Sequence, residues 1–282
     1  LVSPPPIEID QKPLDSGAVK DQNPCQSGKL NHQVPIGTML QDPKKRPSAP
    51  GTETTSPCAA CAVRDMAFCG VLNDQELPRL ISILTHVTVE PHQPIIDESE
   101  PADYLFNVTG GAVKLYKLLP DGRRQITGFL FEGDFLGIAM NDRYAYSAEA
   151  VGLVTLCRFP RRKLEGLLDE FPKLEKRLLG MASNELVQAQ DQILLLGRKT
   201  AQEKIVSFLL SLSERAVKRG GKASPIALPM GRADIADYLG LTTETVSRTI
   251  TSLKRDSFIR LLQGGQVDLP DLAALRDIAE GS

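Results

Sequence analysis

Arg232-Ala-Asp-Ile-Ala-Asp-Tyr-Leu-Gly240-Leu-Thr-Thr-Glu-Thr-Val246-Ser-Arg248-Thr-Ile-Thr-Ser-Leu-Lys-Arg255 carries two short helical patterns around a glycine. Ala236 is small where two helices must approach, Gly240 supplies the turn, and Val246 is a β-branched core residue six positions further on. That spacing is the helix-turn-helix. On the second helix Val246, Ile250 and Leu253 share an inward face, which leaves Glu244, Ser247 and Arg248 together near the N-terminus, where base edges are reached. Arg248 suits bidentate contact with guanine O6 and N7, Glu244 can accept from a cytosine amino group, and Ser247 can donate or accept. Singly, each is an ordinary surface residue. Three on one face argue for a reading surface.

The flanks agree. Phe258 to Leu262, Gly264-Gly265 and Gln266 to Leu269 have the pattern of a small hairpin wing, and Pro270 opens a last short helix. Upstream, Arg198 to Arg219 carries a helical stripe (Ile205, Val206, Leu209, Leu210) closed by Gly220-Gly221, and a strand-like Pro225 to Leu228 follows. The net charge of the 282-residue chain, −2, gives no hint of a polyanionic partner, but its distribution does. Between Gly197 and Leu262 twelve Lys/Arg face six Asp/Glu, a local charge of +6 that leaves −8 elsewhere. A basic end on an acidic body suits a protein that meets phosphates at one end only. Residues 198–282 are therefore expected to form a winged helix-turn-helix domain that binds double-stranded DNA.

Residues 161–197 read as one long helix. Leu179, Ala182, Leu186, Ala189, Ile193 and Leu196 alternate spacings of three and four, the seam of a coiled coil, with Leu174, Leu178 and Met181 beside it. The seam runs for about 27 Å at 1.5 Å per residue, more than a small domain needs for cover, so one stripe is expected to meet the same helix of a second chain. The plainer alternative is that both stripes pack on the chain's own domains. Within residues 58–160, Asn73-Asp-Gln-Glu76 caps a short helix, and a β texture follows from Val87 to Phe159. The runs are Val87 to Glu90, Tyr104 to Val108, Ala112 to Leu118, Gln125 to Phe131 and Ala148 to Phe159, with Asp121-Gly122 the clearest hairpin signal. Short strands at this spacing indicate an antiparallel roll or jelly roll.

Three of the five cysteines, Cys58, Cys61 and Cys69, fall within twelve residues. The segment reads equally as a zinc knuckle or a cluster site, and a fourth ligand must come from Cys25 or Cys157. No run of about eighteen apolar residues exists and no signal-peptide layout opens the chain, so no membrane partner and a cytoplasmic location are expected. In that reducing compartment such clustering favours metal, cluster or redox chemistry over disulfides. Residues 1–57 hold ten of the twenty prolines and no apolar period, and are expected to be a disordered tail in which Cys25 is a bystander. His32, His86 and His92 have no sequence partner, and no catalytic constellation or phosphate loop is visible, so an enzyme is not expected.

From Cys58 onward the chain resembles the CRP/FNR superfamily of transcription regulators. The resemblance rests on Gly111-Ala-Val-Lys-Leu-Tyr116, Asp121-Gly122-Arg123, Gln125-Ile-Thr-Gly-Phe129, Gly133-Asp-Phe-Leu-Gly137, Ile193-Leu-Leu-Leu196 and Gly240-Leu-Thr-Thr-Glu-Thr-Val-Ser-Arg248. It implies an α+β fold: an N-terminal cNMP-binding-like antiparallel β-roll, a long dimerisation helix and a C-terminal winged helix-turn-helix. The cysteine spacing is similar to the oxygen-sensing FNR branch, in its FnrL, FnrN and FixK-like members, and implies a 4Fe-4S cluster on Cys58, Cys61, Cys69 and Cys157. Glu244, Ser247 and Arg248 match the FNR reading triplet, while Thr243 stands where cyclic-AMP receptors have a DNA-reading arginine. A palindrome of TTGAT half-sites, a homodimer and RNA polymerase are the partners implied. Ala189 stands where some members carry an acidic residue that weakens cluster-free dimers. The superfamily's phosphate clamp is missing: after Gly137 the chain reads Ile-Ala-Met-Asn-Asp-Arg143-Tyr-Ala-Tyr-Ser147, which disfavours cyclic-nucleotide binding. The competing expectations are a thiol-redox or zinc-stabilised regulator and a cyclic-nucleotide signalling module. The Lys117 to Arg124 hairpin and the Asn141 to Tyr146 loop are candidate polymerase contacts, with plain solvated loops as the simpler reading.

Overall fold

The run Ala148 to Phe159, which reads as one strand, is two. Residues 151–153 carry the chain from one sheet to another, so that β7 (Ser147–Ala150) pairs in one and β8 (Val154–Pro160) in the other. The structure, a computed structural model, describes residue 58, residues 60–138 and residues 142–281. The expected tail over 1–57, with Cys25 and His32, lies outside the described residues.

A short helix α1 (Leu77–Ile81) precedes β1 (Thr85–Val89), β2 (Pro94–Ile96), β3 (Tyr104–Gly110), β4 (Val113–Leu118), β5 (Arg124–Leu130) and β6 (Phe135–Leu136). With β7 and β8 these form two antiparallel four-stranded sheets, ordered β1-β8-β3-β6 and β2-β7-β4-β5. Asn73 Oδ1 accepts from the N–H groups of Gln75 and Glu76, and Glu76 Oε2 accepts from Asn73 N, so the expected cap closes the turn leading into α1, whose own flanking residue Glu76 makes no side-chain cap bond. At the β4–β5 hairpin Gly122 takes φ 84°, which an L side chain rarely adopts, and Asp121 Oδ1 accepts from Arg123 N.

Side-chain alternation makes the first sheet two-faced. Phe106, Val108, Val154 and Leu156 point into the roll, where they meet Val113, Leu115, Leu130 and Ala148 of the second sheet. Leu105, Cys157 and Phe159, one position out of phase, point the other way into a second core with Phe68, Leu72, Leu80, Leu164 and Leu174. Cys157 faces the N-terminal segment because Leu156 must face the roll.

The long helix is interrupted. Helix α2 (Arg161–Glu170) ends at Phe171 and α3 (Pro172–Arg198) begins anew. Proline disfavours helical backbone in the residue before it and lacks an N–H for the previous turn; Phe171 sits at φ −125°, ψ 82°. The single helix expected over 161–197 is thus corrected to two. The 27 residues of α3 reach about 40 Å. A capping box between Thr200 and Glu203 then starts α4 (Ala201–Lys218).

Strand β9 (Ile226–Ala227), helices α5 (Arg232–Leu239) and α6 (Thr243–Arg255), wing strands β10 (Arg260–Leu262) and β11 (Gln266–Asp268), and α7 (Leu272–Glu280) complete the chain. The wing sheet is ordered β10-β11-β9. Asp271, not Pro270, caps α7, accepting from Ala273 N and Ala274 N at 3.0 Å each. The core of this part runs into the outer face of the second sheet. Phe129 of β5 stacks with Tyr238 of α5 and Phe208 of α4, at 5.3 and 6.0 Å between ring centres. Beside them Lys114, 3 % exposed, places its ammonium 3.0 Å from Asp234 of α5 and 2.8 Å from Glu149, while Arg124 reaches Asp237 at 2.9 Å. The first helix of the helix-turn-helix is therefore seated on the roll. The fold is α+β as expected, with roll, long helix and winged helix-turn-helix in that order.

Candidate functional site

Gly240 takes φ 62° at the end of α5, the left-handed turn that lets α6 leave at an angle. Thr242 caps α6, its hydroxyl accepting from Thr245 N at 3.1 Å. Val246, Ile250 and Leu253 are buried, which fixes the rotation of the helix and leaves Thr243, Glu244, Ser247 and Arg248 exposed together near its N-terminus. Glu244 and Arg248 form an ion pair at 2.6 Å one turn apart, and the Ser247 hydroxyl donates to Thr243 O at 2.8 Å. The pair holds the guanidinium extended along the face with its other N–H groups in solvent. Thr251, Lys254 and Arg255 continue the exposed face, a continuation that the same three-and-four spacing would have found.

Helix α3 leaves most of the expected seam uncovered. Leu179, Leu186 and Ile193 are 67, 61 and 69 % exposed, Ala189 is exposed, and Ala182 is half-buried. Leu196 departs from the row: its Cδ2 lies 3.4 Å from where a side-chain carbon on Gly240 would sit, so it packs against the helix-turn-helix corner. The neighbouring stripe does the covering, with Leu174 and Leu178 buried in the core shared with Cys157.

Cys58, Cys61, Cys69 and Cys157 line one small cavity with Arg64, Leu77, Leu80, Leu84, Asn107, Thr109 and Phe159. Phe68, fully buried between Phe135 and Phe159, anchors the segment by edge-to-face contacts at 4.9 and 5.2 Å. Gly133 closes against it, its absent side chain leaving room for Met66, and Arg177 of α3 donates to Met66 O at 2.9 Å. The sulfurs feel one another. Burial, then the Cys61 and Cys58 sulfurs, pushes the Cys69 thiol up to about 11. Burial, then Cys58, Cys61 and Cys69, pushes Cys157 up to about 12. Cys58 is raised by burial and by Cys61, with Arg64 opposing.

Four soft thiol donors around one space, with no carboxylate among the lining residues, fit a thiolate-bound soft metal or iron-sulfur group and not a hard cation. The space itself is about 20 Å³, one water's worth, so the segment must shift to admit such a group. Among the described residues no three His, Cys, Asp or Glu are arranged to hold a single metal ion. Sequence reasoning missed two neighbours of Cys157. His86 Nδ1 lies 3.7 Å from its sulfur, and Asn107 stands across from it on β3. Both follow from strand register, which spacing along the chain does not reveal.

At the place of a cyclic-nucleotide clamp, the two polar candidates are engaged elsewhere. Arg143 donates to Ser99 O at 2.5 Å, and the Ser147 hydroxyl accepts from Glu98 N at 2.9 Å. Among the described residues no helix is long and apolar enough to cross a membrane.

A family model described as a cyclic nucleotide-binding domain matches residues 86–171, and one described as a Crp-like helix-turn-helix domain matches residues 203–278. The chain is 44 % identical over 205 residues to the transcriptional activatory protein AadR of Rhodopseudomonas palustris, spanning 73 % of this chain and 86 % of that protein. It is 42 % identical over 222 residues to the nitrogen fixation regulation protein FixK of Bradyrhizobium diazoefficiens, spanning 79 % of this chain and 93 % of FixK. Among solved structures, FixK2 from Bradyrhizobium japonicum superposes with a TM-score of 0.65 at 37 % identity, covering 69 % of this chain and 96 % of FixK2. With an exposed reading face on a winged helix-turn-helix, a roll ahead of it and relatives that match along both, the chain belongs to the CRP/FNR family of DNA-binding transcription regulators and is not an enzyme.

Proposed function

We propose that this regulator responds to oxygen, that it binds a palindrome of TTGAT half-sites as a homodimer, and that Cys58, Cys61, Cys69 and Cys157 hold a 4Fe-4S cluster that favours the dimer. It acts chiefly as an activator of genes needed when oxygen is scarce, in keeping with relatives named as an activatory protein and a nitrogen fixation regulator. The observation that carries the reading is the single cavity lined by all four thiols, three from the N-terminal segment and one from β8.

When bound, the cluster supplies an oxygen-labile cross-link between that segment and the roll. The chain's own residues do the rest. Cys58, Cys69 and Cys157, held protonated chiefly by burial, must give up protons to bind metal, so loading is favoured by rising pH. Phe68 ties the segment to the roll through Phe135 and Phe159, and the Arg177 to Met66 bond ties it to α3, so its position bears on the helix that carries the seam. Pairing through Leu179, Leu186 and Ile193 sets two α6 helices about 34 Å apart, one turn of DNA. A coupling of about 3 kcal/mol between loading and dimerisation changes occupancy on the order of a hundredfold. Polymerase contact belongs to this role, and Leu118 and Leu119 at the β4–β5 hairpin, 61 and 43 % exposed, offer it a surface.

Raised thiol pKa values weigh against a thiol-disulfide switch, which needs ready thiolates. The test is anaerobic purification, with iron, sulfide and the absorption spectrum measured before and after air. Brown protein that bleaches and loses the palindrome in air is expected, and Cys157→Ala should lose the cluster. Colourless, zinc-loaded or metal-free protein that binds equally in air rejects the reading; loss through Cys25→Ala in place of Cys157→Ala rejects the fourth ligand.

A further inference from the structure

Cys157 has a nitrogen-bearing side chain on each side of it in the sheet. The register pairs it with His86 of β1 and with Asn107 of β3, and residues directly opposite in antiparallel strands project from the same face. His86 Nδ1 is 3.7 Å from Cys157 Sγ, a distance at which an N–H can bond to sulfur. Asn107 is 2 % exposed and lines the thiol cavity. Its Nδ2 donates to Val108 O at 3.1 Å, while its Oδ1 is buried with no hydrogen-bond partner among the described residues.

A half-used carboxamide buried in a largely apolar space is costly, and such groups call for a partner that completes them. Thiolates formed on metal binding would repel an acceptor and attract a donor. The two ends of a carboxamide have nearly the same shape, so turning it over presents N–H in the volume the oxygen fills; the bond to Val108 O is then given up, and that carbonyl keeps the Gly133 N–H at 2.9 Å as its donor.

We propose that Asn107 and His86 are positioning residues that flank Cys157 and donate N–H hydrogen bonds to sulfur of the group bound in this cavity, making that group harder to oxidise. The proposal rests on the cluster reading above. A hydrogen bond to a thiolate or sulfide draws electron density from it and favours the more reduced, more negative state, so each donor raises the reduction potential.

Asn107→Leu keeps the volume and removes the donor; His86→Leu does the same at an exposed position where folding is not at stake. Full-length wild type and both variants would be reconstituted anaerobically with ferrous iron and sulfide. Their reduction potentials, the rate of absorbance loss in air, and the melting temperatures of the metal-free forms would then be compared. Each variant is expected to have a more negative potential and to lose its absorbance faster, by about tenfold for Asn107→Leu. The metal-free melting temperature of Asn107→Leu is expected to match or exceed wild type, because the orphaned oxygen is gone. Should Asn107→Leu fail to fold, Asn107→Met, which also fills the site without an N–H donor and adds no charge, carries the same expectation for potential and lifetime. A residue whose variants keep the wild-type potential and lifetime is removed from the proposal, and a lower melting temperature with unchanged potential marks a purely structural role. Wild type that takes up neither iron nor sulfide refutes the cluster reading itself, an outcome separate from a loaded wild type with indistinguishable variants.

Discussion

At the reading face, Arg248 has the most to lose. Its guanidinium, 80 % exposed and aligned by Glu244, is the group on α6 built for two bonds to guanine. Arg248→Ala is expected to weaken binding to a TTGAT palindrome by about 1–3 kcal/mol per half-site, read by fluorescence anisotropy at fixed salt, with little change in melting temperature. The thiols make a different claim. In metal-free protein Cys69 and Cys157 keep their protons to about 11 and 12, above the ordinary thiol value of 9.0. The folded state therefore binds more protons than the unfolded state above pH 9.0, and stability falls as pH rises toward those values. Tyr146, pushed up to about 12 by burial, adds a loss of the same sign. Melting temperatures of metal-free protein between about pH 8 and 11 should decline, and less steeply in Cys157→Ala, where one raised group is missing.

At the level of elements, α3 divides its labour by face. Leu174 and Leu178 hold it to the roll, while Leu179, Leu186 and Ile193 find no cover among the described residues. Three large apolar side chains in a row on solvent are the mark of an association surface. Leu186→Glu is expected to leave the unfolding free energy of the monomer within about 0.5 kcal/mol of wild type, since Leu186 is exposed there. It should abolish the dimer by sedimentation velocity, and with it binding to a full palindrome. A dimer of unchanged strength would reject α3 as the interface. The Phe171-Pro172 break also has a use: it lets α2 lay Leu164 and Leu167 into the core with Phe159 while α3 sets off in its own direction.

Across the whole molecule, the roll and the DNA-binding part share a wall. Lys114 is buried between Glu149 of the roll and Asp234 of α5, and Arg124 braces Asp237 next to it. Removing the ammonium leaves Asp234 and Glu149, both largely buried, with Arg124 at 3.2 and 3.8 Å as their remaining strong partner. Lys114→Ala is expected to cost about 3–5 kcal/mol of unfolding free energy in urea titrations, far more than Lys117→Ala, whose pair with Glu98 is solvated. An equal, small loss for both would mean that the wall opens freely in solution.

What could be read along the chain was what repeats along it. The stripe Val246, Ile250, Leu253 and the turn at Gly240 specify the helix-turn-helix and its exposed face, because helical period decides which side chains go inward. Asp121-Gly122 specifies its hairpin for a similar local reason: the turn demands a positive φ. The two strands within Ala148 to Phe159 and the two-residue β6 were not legible in outline, since short strands owe their existence to neighbours distant in sequence, whereas the break at Phe171-Pro172 has a local signal in its proline. The same limit applied at the sites. Three cysteines announced themselves by spacing and the family resemblance added Cys157, but only tertiary structure set His86 and Asn107 beside it and buried Lys114 against α5. Sequence determined which faces must be covered and which must stay polar; the pairing of strands determined which residues meet, because register is a property of two segments and is written in neither alone.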